Sequence, residues 1–526
     1  MSFRYVSTLC PFCSTGCSFN LVVQNGAVVA GGPYHRSPVN DGKTCPKGHY
    51  AYEMTAGKER IFTPLIRKND SLTECSWEEA LACITTKCKE YAGTEIALIA
   101  SAHATNEDIY SLKRLAEILI TDNFSSPAAV GIDASAGSIA AIADADCIVV
   151  IGNLALTHPL AARRVANAKD KGAKVAVVDT YLSPTTKLAS EFIQATPGNE
   201  REAIRKAADF IVGENAYVLF GISAGDAEAS IAAAALEIAE EKGAKFFAFP
   251  AQSNGRGALD IGASTPIDAV IADEKIKACY IMGTEMGPVP AEFVVVQDAF
   301  LSVSAQNADV VLPAAVFAET EGTATNAERR VQRIHQAQEP PEGVKPHWKI
   351  VVDIASALGE PLGYETPEDI FADITANIKG YEGLTYASLE KDGHLISPRK
   401  AAVTVGPEPV KVKTNKKFPL VLSMVPTIWH GFGTAGTLSK NCPTLVQEVP
   451  DIWVGISAED AQKYNVTNGR NAVVISDTGE LTVTVKVMDG IAPGTTIIPA
   501  MRMGNICACE VTGRRKNCAV RIEEVD

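Results

Sequence analysis

The chain has no excess of positive charge, no apolar run long enough to cross a bilayer, and no room for a leader ahead of its first motif. Its 526 residues carry 48 Lys and Arg against 62 Asp and Glu, a net charge of -14. That balance excludes the basic footprint of a nucleic-acid binder. The most apolar stretch, residues 128–154, is broken by Asp133, Asp144 and Asp146, so no membrane-spanning helix is expected. The first motif opens at residue 10, too early for a charged n-region followed by an apolar h-region. The cysteines do not form a disulfide framework: they number 13, an odd count, and they are scattered, which fits a reducing compartment. The expectation is a soluble, cytoplasmic protein of about three or four domains that reaches a membrane only through partners.

What is present begins with Cys10, Cys13 and Cys17, followed by Cys45, in the spacing C-x2-C-x3-C-x27-C. Three cysteines on one tight loop and a fourth brought back from afar can hold a metal centre as four thiolates. Such a shell suits tetrahedral zinc or an iron–sulfur cluster. Zinc sites come mostly as two C-x2-4-C knuckles, whereas here the second half is a lone Cys45 in CPKG. The asymmetry favours a 4Fe-4S cluster. Gly16, Pro11, Pro46 and Gly48 mark exposed turns around these cysteines, which argues against a chance set of buried thiols. A chain built this way moves electrons.

After the cysteine segment, FNLVVQNGAVVAGG reads as a hairpin turning at Asn25-Gly26. From about residue 95 the pattern becomes strands alternating with amphipathic helices: EIALIAS then NEDIYSLKRLAEILI, CIVVIGN then LAARRVANAKDKG, and AKVAVVDT. EEKGAKFFAFPA repeats the style with a helix ended by Gly243. These βα units predict parallel sheets covered by helices. Residues 398–418 are rich in Pro, Lys and Val without helical period and read as a linker. The remainder is strand-dominated, with turns at Asn468-Gly469, Thr478-Gly479 and Pro493-Gly494, and predicts a small β-barrel.

These segments resemble the molybdopterin oxidoreductase superfamily from end to end, most closely the catalytic subunits of methanogen-type cytoplasmic formate dehydrogenases. The large iron–sulfur subunit of NADH–quinone oxidoreductase is related. The blocks that carry the resemblance are the cluster motif with CPKG, VIGNLALTHPLAARR, KVAVVDTYLSPTTKLASEFIQATPGNE, QSNGRGALDIG, ADVVLPAAVFAETEGTATNAERRVQR and GTAGTLSKNCPTLVQEVPDIWVGISAEDA. The resemblance implies an α/β fold of four domains. They are an N-terminal 4Fe-4S domain (1–60), an α/β domain (61–95 plus 288–400), a second, dinucleotide-binding-like α/β domain (96–287), and a C-terminal six-stranded barrel (415–526). It also implies two molybdopterin guanine dinucleotides chelating molybdenum or tungsten between the α/β domains. On that resemblance Lys47 sits between cluster and pterin. Gly152, Asn153 and His158 match the first dinucleotide-contact loop, and Asp179 matches the residue that holds a guanine. Gln252 and Asn254 match a pterin-side loop from which Ser253 departs. Gly283, Asp298, Asn326, Glu328 and Arg329 match further pterin-facing or structural positions, and Thr434, Gly436 and Thr437 match a barrel loop.

The chain departs from the family where the metal is held. In formate dehydrogenases a cysteine or selenocysteine ligates the metal from a loop that here reads DNFSSPAAVGIDAS. Aligned on Pro127 and Gly131, the ligand position is Phe124 and the following histidine position is Ser125. Phenylalanine supplies no soft thiolate; serine is a metal ligand in some distant relatives, so the resemblance admits Ser125 or Ser126 as an oxygen ligand. The histidine and arginine that flank the metal in formate oxidisers have no counterpart, so no catalytic residue is assigned. The MGTEMGPVPAEF turn passes almost directly to the next strand, so the chain is short around the substrate funnel. The barrel end carries Cys507 and Cys509 near Arg502, Arg514 and Arg515, a pattern read as a solvated loop whose basic neighbours lower a thiol pKa. The other cysteines, Cys75, Cys83, Cys88, Cys147, Cys279, Cys442 and Cys518, are expected in core packing.

Three readings follow. The first is an electron-transfer and scaffold subunit of a redox complex, docking on flavin- or iron–sulfur-containing subunits, with neither nucleic acid nor direct membrane insertion. The second is an active molybdenum or tungsten bis-pterin oxidoreductase such as a formate dehydrogenase catalytic subunit. The third is a colourless zinc-stabilised interaction protein. The Cys45→Ala variant is expected to lose its iron and brown colour and to destabilise residues 1–60, because the loop has little core of its own. Iron analysis and absorbance of the anaerobically purified variant check this.

Overall fold

The computed structural model describes residues 2–128, 132–133, 135, 137–221, 228–398, 402–403, 408–431, 434–500, 502–503, 506–513 and 515–525. At the N-terminus Phe3–Leu9, Ser18–Gln24 and Ala27–Pro33 form a three-stranded antiparallel sheet. The last two strands turn through Asn25 (φ 53°) and Gly26 (φ 83°), the left-handed pair that the Asn-Gly hairpin requires. The cysteine loop joins the first two strands, and Cys45 caps the short helix Pro46–Tyr50.

Two α/β layers follow. A seven-stranded sheet has the order Ser71–Glu74, Leu65–Lys68, Val310–Pro313, Phe293–Asp298, Ala278–Met282, Ile96–Ala100, Phe124–Ser125. Its last five strands run parallel, and an antiparallel hairpin closes the other edge. The five-stranded sheet is wholly parallel, in the order Glu191–Gln194, Lys174–Asp179, Cys147–Ile151, Ala216–Phe220, Lys245–Ala248. The central strands are buried on both faces: Leu98 and Tyr280 pack in one cluster while Ile99 and Ile281 pack in another. That two-sided burial is why these strands read as continuous apolar runs.

The boundary expected at residue 96 is corrected by this pairing. Ile96–Ala100 and Ala278–Met282 lie side by side in the seven-stranded sheet, so the second α/β layer is an insertion whose sheet spans residues 147–248. Parallel pairing needs a crossover, and a crossover tolerates a whole inserted domain. Residues 398–418 are also more than a linker, since Ala402–Val403 pairs antiparallel with Ile132–Asp133. The C-terminal strands close into a six-stranded barrel, Leu420–Val425, Thr495–Pro499, Trp453–Ile456, Glu480–Val487, Asn471–Ile475, Asn517–Glu524. Among the described residues no helix is long and apolar enough to cross a membrane.

The helix Asn106–Ile118 begins at a capping box, in which Thr105 accepts from the Asp108 N–H and Asp108 from the Thr105 N–H. The sheet's edge is fastened by a buried forked pair: Arg60 donates from both terminal nitrogens to Glu319 at 2.9 and 2.8 Å, with side chains 1% and 0% exposed. Glu319→Ala leaves a buried guanidinium without its carboxylate. A loss of about 3–5 kcal/mol is expected, measurable as a lower denaturation midpoint.

Candidate functional site

The four cysteines of the motif come together. Cys10, Cys13 and Cys17 are buried, Cys45 is half-buried, and none is disulfide-bonded. Burial, and then repulsion from one another, push the thiols of Cys10 and Cys17 well up, and burial raises Cys45. Four crowded buried thiolates are stable only around a cationic centre. Among the described residues no group of three or more Cys, His, Asp or Glu is arranged to hold a single metal ion.

The cluster loop is seated by side chains from both α/β layers. Asn326 donates to Thr15 O (3.1 Å), Gln332 to Gly16 O (3.1 Å), and the Ala327 N–H to Ser14 O (2.7 Å). Gly16, at φ 73°, has no room for a side chain, since a Cβ there would lie 2.5 Å from Asn326. From the inserted layer, His158 lies 3.1 Å from Ser14 Oγ and donates through the same Nε2 to Pro250 O at 2.9 Å. Burial holds the His158 ring down at about 4, so it stays neutral. Lys47 is buried in the helix after Cys45, where its charge reaches Cys10, Cys45, His103, His158 and His430. That is a position between the cluster and the interior.

Two further places accept a ligand. At the C-terminal ends of the parallel strands of the seven-stranded sheet lies a crevice lined among others by Pro11, His103, Gly283, Asp298, His347 and Thr437. Gly283 (φ 59°) keeps it open, because a Cβ there would meet His347 at 3.1 Å. Thr437 Oγ1 is buried with no hydrogen-bond partner. Asp298 accepts from the Ala299 N–H at 2.7 Å, and burial raises its carboxyl to about 7. The second place is the end of Lys174–Asp179, against the barrel, where Leu182 N–H donates to Gly490 O. Asp179 Oδ1 accepts from the Thr180 N–H, but Asp179 Oδ2, Thr180 Oγ1 and Ser183 Oγ are buried without a hydrogen-bond partner. Ser183 stands near enough to favour the anion but makes no bond to it. Three orphaned polar atoms at the carboxyl end of a parallel strand fit a base edge with N–H donors.

Phe124 is buried in the main core at the edge of the seven-stranded sheet. Ser125 donates its hydroxyl to Thr265 O at 2.6 Å, and Ser126 Oγ accepts from the Ala128 N–H. Both hydroxyls are therefore engaged within the protein.

Comparison with known proteins gives the same picture. Residues 60–357 match the model described as molybdopterin oxidoreductase, residues 3–57 its Fe4S4 domain, and residues 427–519 the "Molydopterin dinucleotide binding domain". The chain belongs to the molybdopterin oxidoreductase family. It is 29% identical to the F420-dependent formate dehydrogenase 1 subunit alpha of Methanococcus maripaludis, over 100% of both chains. It is also 29% identical to the corresponding alpha subunit of Methanocaldococcus jannaschii, over 95% of each. The first alignment runs over 678 positions against 526 residues here, so that relative carries segments with no counterpart in this chain. Acetylene hydratase from Pelobacter acetylenicus shares the fold, with a TM-score of 0.65 at 14% identity over 95% of this chain and 93% of that one. Family membership brings a 4Fe-4S cluster and molybdopterin guanine dinucleotide as the cofactors these domains hold. The four cysteines fit the first, and the orphaned atoms around Asp179 fit the second.

Within this family fold, several sequence-matched residues spend their side chains on the protein itself. Asn153 bonds Tyr181 and Thr185, at the turn made by Gly152 (φ 84°). Asn254 holds Ala104 O and the Thr325 N–H, beside a buried Ser253 and a half-buried Gln252. Arg329 (φ 65°) pairs with Asp260 at 2.9 Å, and Glu328 accepts from the Ile139 N–H. Gly436 O accepts from Ser439. The side chains of Thr434, Arg502 and Cys507, and all of Gly131 and Arg514, lie outside the described residues. Cys509 is disulfide-bonded, so no titrating thiol stands there. Cys147, Cys279, Cys442 and Cys518 are buried as expected, and Cys75, Cys83 and Cys88 are half-buried. Sequence reasoning missed His103 and His347, although His103, three residues beyond a fully apolar strand, carried a positional signal.

The Asp179 site predicts a pH signature. Burial holds its carboxyl up at about 6 from 3.8. The buried charge therefore costs stability above pH 6, and the cost is absent below about pH 4, where folded and unfolded chains are both protonated. Asp179→Asn is expected to exceed the wild type by about 3 kcal/mol at pH 8, with the gap closing toward pH 4. Denaturation across that range checks it.

Proposed function

We propose that this protein is an iron–sulfur electron-transfer and scaffold subunit of a multi-subunit redox complex, with its own metal-centred catalysis lost. The observation that carries the reading is Phe124: an apolar ring packed in the core where formate-oxidising relatives present a thiolate or selenolate, with the Ser125 hydroxyl spent on Thr265 O. The absence of counterparts for the flanking histidine and arginine removes both a proton acceptor and a carboxylate clamp for formate. When bound, the cluster stores a single electron. The chain's own part is to fix the four thiolates, exclude water from the loop and keep a cation, Lys47, beside it. Relatives named as alpha subunits support the presence of partner subunits; on this reading those partners carry flavin or iron–sulfur centres and the complex is cytoplasmic.

A second reading, an active molybdenum or tungsten oxidoreductase whose metal is held without a protein thiolate, is favoured by one observation. The nucleotide cradle around Asp179, Thr180 and Ser183 keeps unsatisfied polar atoms that burial penalises. Metal and pterin content of anaerobically purified protein separates the two. The expected result is about four irons with neither molybdenum nor tungsten. Stoichiometric molybdenum or tungsten would overturn the first reading in favour of the second, and pterin fluorescence reports whether the cradle is filled.

A further inference from the structure

His103 belongs to none of the matched motifs, yet it stands between the crevice and the cluster: it lines the crevice with Gly283 and Asp298, and a second cavity with Cys10 and Asn326. Its Nδ1 lies 2.7 Å from Pro11 O. A carbonyl oxygen only accepts, so Nδ1 carries the hydrogen and the neutral ring leaves Nε2 as an acceptor. The Pro11 carbonyl and the Phe12 N–H belong to one peptide unit, and that N–H lies close enough to the Cys10 sulfur to favour its thiolate. The result is a three-part chain: imidazole N–H to carbonyl, through the peptide, and peptide N–H to a cluster thiolate. A donor on the oxygen of a peptide polarises its N–H, so each bond strengthens the next.

We propose that His103 is a positioning residue for electron transfer, which holds the Pro11–Phe12 peptide with its N–H on Cys10 and so raises the reduction potential of the cluster. An N–H bond to a ligand sulfur stabilises the more negative, reduced cluster, which fixes the sign. The electron comes from the mediator or partner, and no covalent bond changes. Because His103 is also a wall of the crevice, a crevice ligand that donates a hydrogen bond to Nε2 reinforces the same chain. The inference rests on the cluster assignment alone and holds whether or not the protein retains metal chemistry.

The test is a mediated redox titration, read by EPR of the reduced cluster, on the full holoprotein and on His103→Leu, His103→Asn and His103→Gln. Leucine removes the donor, asparagine is too short to keep it on Pro11 O, and glutamine is long enough. The first two are expected to lower the reduction equilibrium by up to about tenfold, or about 59 mV for one electron, and glutamine to restore most of it. A merely structural histidine would change stability or iron content and leave the potential of the assembled cluster where it was. Equal potentials in all iron-replete variants overturn the proposal. If leucine loses its iron, the asparagine and glutamine pair decides by the same criterion. Loss of iron from the glutamine variant too overturns the proposal, since a retained donor then fails to rescue.

Discussion

The seating of the cysteine loop is the constraint on which the rest depends. A segment of eight residues that carries three of the four thiolates has almost no apolar core, so its shape is imposed from outside. The imposition comes through its carbonyls: Ser14, Thr15 and Gly16 are gripped by the 326–332 segment, and Pro11 by His103. Each grip reaches across a long stretch of sequence, and His158 adds one from the inserted layer. The cluster thus exists only where both α/β layers already meet. Outward carbonyls leave the N–H groups free to face sulfur, and the backbone N–H groups of Phe12, Lys47 and Gly48 lie where they favour the thiolates of Cys10 and Cys45.

That meeting explains the interleaved chain. The seven-stranded sheet is split in sequence by the five-stranded one, and the return strand Ala278–Met282 pairs with Ile96–Ala100 in register. The carboxyl ends of the parallel strands of the larger sheet then open on the crevice behind the cluster loop. Those of the smaller sheet open toward the barrel, where Tyr181 bridges Ile491. Two separate ligand sites, one per sheet, follow from the rule that open α/β sheets bind at their strand ends.

Much of this was legible in the chain. The cluster set, the Asn25-Gly26 hairpin, the βα units and the closing barrel each rest on local chemistry: spacing, a left-handed turn, or apolar runs punctuated by glycine. The boundary at residue 96 was misread because strand partnership across an insertion leaves no local trace. The same limit hid the grips of Asn326, Gln332 and His103, whose meaning depends on partners far away in the chain. Asn153 and Asn254 show the converse. Their positions match a family pattern, but their amides are committed to Tyr181, Thr185, Ala104 and Thr325, so a match in sequence marks a turn as readily as a ligand contact.

The two halves of the site therefore carry opposite signs of selection by physics. Around Phe124 the structure has settled: the ring is in the core and the Ser125 hydroxyl is bonded. Around Asp179 it has not settled, since a buried carboxylate oxygen and two hydroxyls stand unsatisfied, and each such atom costs about 1–3 kcal/mol when left without a partner. A chain that had given up every cofactor beyond the cluster would be stabilised by filling that place with apolar groups as it filled the other. The persistence of the cost at one end and its removal at the other separates nucleotide binding from metal ligation. On the function proposed above, the cradle has outlived the thiolate.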